Sequence, residues 1–137
     1  MAEAADADEL LVAAARAARE RAYAPYSAFP VGAAVRTDAG TFTGANVENA
    51  SYGLSICAER VAAAAAVASG ARRIEAVALV SAARTPTPPC GACRQFLYEF
   101  GAEMTVISEA ASGARRAWRL SELLADGFGP DDLAAAR

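Results

Sequence analysis

The residues best able to do chemistry here are three thiols and one carboxylate. Cys57 and Glu59 sit in "SICAER", and Cys90 and Cys93 in "TPTPPCGAC". The chain has no histidine, and all 13 of its basic residues are arginines. That excludes a Ser-His-Asp or Cys-His nucleophile, a Schiff-base lysine and a P-loop lysine, and leaves thiolates or carboxylates to hold any metal. Alone, "CGAC" reads as two small buried residues or as a redox dithiol. The third thiol points to metal: a catalytic zinc takes three protein ligands and keeps a fourth position for water, whereas a structural zinc takes four. Three thiolates on a divalent ion leave a negative site that needs charge offset nearby. Helix N-termini supply part of it. Arg60 and Arg94, each beside a thiol, could donate to sulfur, or could simply face solvent. Glu59, two residues from a thiol, could relay protons between water and a substrate. It reads equally well as a first-turn glutamate that complements the helix dipole.

These groups must be presented by the elements around them. Residues 8–22, "DELLVAAARAARERA", read as an amphipathic helix with Leu10, Leu11, Ala14 and Ala18 on its apolar face. The two prolines of "YAPYSAFP" break it into an aromatic loop. Strands follow at 31–37 and 41–47, joined by the turn "DAG", with Asn46 and Glu48 near the strand end as turn residues or as a polar pair on one face. The alanine-rich run after Cys57 predicts a close-packed helix closed by Gly70, and "IEAVALVS" at 74–81 a central strand buried on both faces. A rigid proline loop leads to a helix at 93–101. A strand at 104–108, an edge strand at 115–119, a short helix in "LSELLADGF" and a fraying tail complete the chain. All three cysteines thereby fall at helix N-termini. The order predicts one α/β domain over residues 1–137, a three-layer α/β/α sandwich on a mixed, roughly five-stranded sheet.

Bulk properties narrow the partners. With 137 residues and 55% hydrophobic content, a core can form without disulfides, and the odd cysteine count argues against a disulfide framework. A net charge of −3 disfavours nucleic acid. No apolar run suits a membrane span, and the acidic "MAEAADADEL" is unlike a secretory signal, so the expected location is cytoplasmic.

Taken together, "YAPYSAFPVGAAV", "GANVENASYG", "CAER", "PCGACRQ" and "LLADGFGPDDL" resemble the cytidine deaminases, specifically the small homotetrameric three-cysteine zinc type. Other branches have histidine as first ligand; Cys57 takes that place here. The resemblance implies one zinc per chain on Cys57, Cys90 and Cys93. A zinc-bound hydroxide would attack the ring carbon that bears the amine, Glu59 would shuttle protons, and ammonia would leave. It further implies base contact by the Ala58 backbone, stacking by Phe29, which otherwise reads as a core residue, and ribose binding by Asn46 and Glu48. Phe128 would enter a neighbouring subunit's site, and Tyr52 would reach across a subunit interface. The implied activity is hydrolysis of cytidine and 2'-deoxycytidine in pyrimidine salvage. Rivals are a blasticidin-type or other aminopyrimidine deaminase and, from a different class, a non-catalytic or redox CxxC protein.

Overall fold

The computed structural model describes residues 2–135. Five strands form one mixed sheet: β1 (Val31–Thr37), β2 (Gly40–Ala45), β3 (Ile74–Ser81), β4 (Thr105–Glu109) and β5 (Arg115–Arg119), in the spatial order β2-β1-β3-β4-β5. Only β3 and β4 run parallel, and α3 (Gly91–Tyr98) is the crossover between them. Helix α1 (Ala2–Arg19) covers one face of the sheet, while α2 (Ala58–Ala68) and α3 cover the other. This is the expected α/β/α sandwich. The strands supply a core cluster to each helical layer: Ala34, Ala76, Ala78 and Val80 toward α1; Ala33, Val35, Val77 and Leu79 toward α2. No helix among the described residues is long and apolar enough to cross a membrane.

The helices lie close to the sheet because glycines remove side chains where backbones meet. A Cβ on Gly32 of β1 would stand 2.0 Å from the Ala15 carbonyl oxygen, and one on Gly44 of β2 would stand 2.5 Å from the Ala62 amide nitrogen. Backbone atoms cannot yield as a side chain can. Gly44→Ala is therefore expected to cost about 3 kcal/mol in denaturant unfolding. It should also lower catalytic activity, because it lifts the first turns of α2, where Cys57 and Glu59 stand.

Several boundaries differ from the sequence reading. Helix α1 begins earlier, in an alanine-rich stretch of high helix propensity, and stops at Arg19 rather than 22. It must stop there, because Tyr23 leaves to bridge Val47, its N–H donating to the Asn46 carbonyl at 2.9 Å. The buried face of α1 is Leu11, Val12, Ala15 and Ala18; Leu10 is 72% exposed, since the close approach at Gly32 turns Ala15 onto the sheet. Strand β2 ends at Ala45, so Asn46 and Glu48 lie beyond it in irregular backbone. Helix α3 starts at Gly91 with Cys90 as its N-cap, and Cys93 falls in its first turn. The C-terminal segment divides into α4 (Leu120–Leu123), a loop carrying Phe128, and α5 (Pro130–Ala135). The tail is thus helical rather than frayed up to Ala135, and its last two residues lie outside the described residues.

Candidate metal centre and cavity

Two helix starts converge at the carboxyl end of β3. Cys57 is the N-cap of α2 and Cys90 the N-cap of α3, both in extended backbone (ψ 154° and 166°). An N-cap side chain usually accepts from the first free N–H groups of the helix. Neither thiol does so, which leaves both sulfurs available for other bonds. Cys93 is buried in the first turn of α3, Cys57 is half-buried and Cys90 exposed. The three Sγ atoms lie within 4.8 Å of one another, Cys57 and Cys90 at 3.6 Å. Zinc–sulfur bonds of about 2.3 Å at tetrahedral angles put sulfurs about 3.8 Å apart. Donor type, spacing and number therefore fit a zinc ion with one position left for water, and the Glu59 carboxylate is not a member of the donor cluster.

The protonation pattern fits as well. The Cys57 thiol is lowered to about 5, first by a hydrogen bond from Cys93 and then, against some burial, by Arg60 and Cys90. Cys93 is raised, because its proton is held in the bond to Cys57 and because it is buried. One sulfur is thus already thiolate-like, and two helix N-termini face the cluster. The Arg60 guanidinium lies 3.7 Å from the Cys57 sulfur, and Arg60 itself is held above the ordinary arginine range, first by that contact. Arg94 acts otherwise than expected. It donates to the Pro89 carbonyl at 2.7 Å and the Leu123 carbonyl at 2.8 Å, which ties the loop before Cys90 to α4 instead of touching sulfur.

Glu59 is only 4% exposed, and its carboxyl is raised to about 7. Burial is the main cause and the nearby Cys57 charge adds to it, while its own backbone N–H and Cys93 pull the other way. A carboxyl poised near neutrality can both take and return a proton.

A cavity of about 420 Å³ opens in front of these groups and brings together Phe29, Asn46, Glu48, Cys57, Ala58, Glu59 and Cys90. Asn46 also braces the aromatic loop, its Oδ1 accepting from the Val31 N–H at 2.9 Å and its Nδ2 donating to the Phe29 carbonyl at 3.0 Å. Glu48 accepts from the N–H groups of Tyr26 and Ser27 and from the Ser27 hydroxyl. Those bonds, the Ser27 hydroxyl first, hold its carboxyl below the usual range, so it stays ionised. Tyr52 lines a smaller adjoining cavity with Tyr26 and Glu48; it is 74% exposed, with its ring edge-on to Tyr26. Phe128 is 56% exposed and lines neither cavity; Gln95 Nε2 donates to its carbonyl at 2.8 Å. Ser27, Val31, Leu79, Thr87 and Pro88 also line the main cavity. The sequence reading did not single them out. Ser27, flanked by aromatics in "YSAF", was the most visible of them.

A sheet flanked by helices, with convergent thiols and a buried carboxylate at the carboxyl end of a parallel strand, defines a zinc-site α/β/α protein. A family model described as cytidine and deoxycytidylate deaminase zinc-binding region matches residues 5–110, and the chain belongs to that family. Among its relatives, the cytidine deaminase of Sporosarcina psychrophila is 42% identical over 93% of this chain and 96% of its own. That of Halalkalibacterium halodurans is 44% identical over 91% and 96%. In three dimensions, the cytidine deaminase of Burkholderia pseudomallei superposes with a TM-score of 0.84 at 48% identity, covering 88% of this chain and 98% of that one. The Mycobacterium tuberculosis enzyme gives 0.77 at 42% identity, over 88% and 96%.

Proposed function

We propose that this chain, acting as a single deaminase-like domain, hydrolyses cytidine and 2'-deoxycytidine to uridine and 2'-deoxyuridine with release of ammonia, a pyrimidine-salvage reaction. One zinc ion per chain would be held by Cys57, Cys90 and Cys93. The observation that carries this reading is the three-sulfur cluster facing the same cavity as buried Glu59, in a chain whose relatives are cytidine deaminases. The inclusion of Cys57 in that cluster argues against a redox pair made of Cys90 and Cys93 alone.

When bound, the metal supplies a water made acidic near neutral pH. Glu59 would take one proton from the attacking water for the ring nitrogen and then relay the second to the departing amine. In balance, water adds its oxygen to the ring carbon and its two protons leave with the nitrogen as ammonia and on the ring. Phe29 stacks on the base, and the Ala58 backbone contacts its edge. Asn46 and Glu48 bind the sugar hydroxyls: an ionised carboxylate has about four acceptor sites, so bracing the aromatic loop does not exhaust it. Arg60 offsets the negative charge that three thiolates create.

We further assign Phe128 and Tyr52 to contacts between subunits of a homotetramer, with Phe128 completing a neighbour's site. Support comes from the aromatic and aliphatic residues left exposed, among them Tyr26 and Tyr52 at the smaller cavity and Leu54 and Ile56 close by in sequence. Thiols kept free for a metal suit a reducing compartment, which favours the cytoplasm.

The substrate assignment is tested by ultraviolet assay of cytidine, deoxycytidine, cytosine and cytidine monophosphate. The two nucleosides should turn over and the free base should not. Glu48→Ala should lower kcat/KM for cytidine by about 10–100-fold, the value of a lost charged hydrogen bond, with a smaller loss of thermal stability from its bonds to the exposed aromatic loop. Unchanged cytidine kinetics in that variant would remove Glu48 from the sugar contacts.

A further inference from the structure

The loop between β3 and α3 ends in Cys90 and forms one wall of the cavity, yet Pro86, Pro88 and Pro89 leave it short of N–H donors. It cannot be held by a backbone ladder, so its carbonyls and side chains must fasten it. Two fully buried serines at the ends of neighbouring strands do this, and both bond to one residue. Ser108 Oγ on β4 donates to the Thr87 carbonyl at 2.6 Å. Ser81 Oγ, at the end of β3, lies 3.0 Å from Thr87 Oγ1 and accepts from the Ala83 N–H at 3.2 Å. Ser108 stands opposite Leu79 in the parallel register, and Ser81 shares the strand face of Leu79, which itself lines the cavity. Apart from Glu109, which is paired with Arg16 and Arg115, the other buried positions on these strands carry Val, Leu, Ile or Ala. A hydroxyl in such a place is costly unless it is bonded. Thr87, the shared partner, lines the cavity and lies three residues before Cys90.

We propose that Ser81 and Ser108 are positioning residues: through Thr87 they fix the height of the proline loop on the sheet, and so the place of Cys90 and Pro88 relative to Glu59. Neither serine touches substrate. Their effect is on geometry, where a displacement of about 1 Å can cost on the order of 100-fold in rate. The inference rests on the deaminase reading for its kinetic arm only.

The test compares Ser108→Thr with Ser108→Val, which are close in shape and differ in a hydroxyl exchanged for a methyl. In zinc-loaded protein, the valine variant should show kcat/KM for cytidine about tenfold or more below the threonine variant, and should lose zinc to a chelator faster by a similar factor. In a second arm, Ser81→Ala should reduce kcat/KM severalfold in the parent and clearly less in Thr87→Val, where only the bond from the Ala83 N–H is left to lose. Ser81→Ala adds no volume, so this arm stands if Ser108→Val does not fold. Matching kinetics and matching zinc release within the threonine–valine pair, with only melting temperature changed, would overturn the proposal, as would additive effects in the Ser81–Thr87 cycle. A parent protein inactive on cytidine would defeat the deaminase reading instead, and the chelator arm would still decide the positioning role.

Discussion

Glu59→Gln should retain about one zinc per chain and lose deamination by about 10²–10⁴-fold, the range for removal of a general acid-base group. The carboxylate is not a member of the sulfur cluster, so an amide in its place leaves the metal donors intact. The amide has the same shape but cannot accept and return a proton. Nor should the fold suffer: Glu59 is buried and its carboxyl is raised by desolvation, so a neutral residue of equal size removes a burial penalty rather than a bond network. Metal analysis, melting temperature and turnover measured on one preparation separate these effects. Full activity in this variant would remove Glu59 from the proton path.

Cys90→Ala should fail in a different way, losing both the zinc and the activity. Cys90 is exposed and makes no capping bond, so its thiol contributes little to packing. What it would contribute is one of the three proposed metal donors, and two thiolates cannot hold zinc as three do. Zinc content should fall well below one per chain, activity should fall to background, and the circular dichroism spectrum should stay that of the parent. An active, zinc-loaded Cys90→Ala protein would mean that the metal donors lie elsewhere. Cys93→Ala would be the less clean experiment, since Cys93 is fully buried and its loss also opens space in the core.

Much of this arrangement is legible in the sequence because it follows local rules. Alternation and apolar runs place all five strands to within a residue or two, and the glycine after the alanine helix does close it, Gly70 taking a φ of 109°. The thiols read as a site because their type is rare and their number matches an open zinc. Misreadings occur where tertiary contacts outweigh pattern. Leu10 looks like core by spacing, but the face of α1 is set by the backbone approach at Gly32, which a linear pattern does not display. Asn46 and Glu48 look like a strand end. The bridge from Val47 to Tyr23 and Ile56 ends the strand sooner and turns both side chains to bracing the aromatic loop. Arg94 beside Cys93 suggests a bond to sulfur, whereas in the folded chain the nearer acceptors are two carbonyls, one of them from a segment 29 residues away in sequence. Ser81 and Ser108 carry no motif, and nothing marks Thr87 out within the proline loop; only the folded sheet brings the three together.

The central claim is that zinc on three thiolates, in front of a proton-carrying glutamate, makes this chain a nucleoside deaminase. It is tested most directly by following cytidine loss in ultraviolet absorbance with the purified protein, before chelation, after chelation and after zinc is returned. The account predicts turnover that falls to background as zinc is withdrawn and recovers as it is restored to one ion per chain. Cytidine turnover that persists in protein shown to be free of metal, or its absence in protein carrying a full complement of zinc, would contradict it.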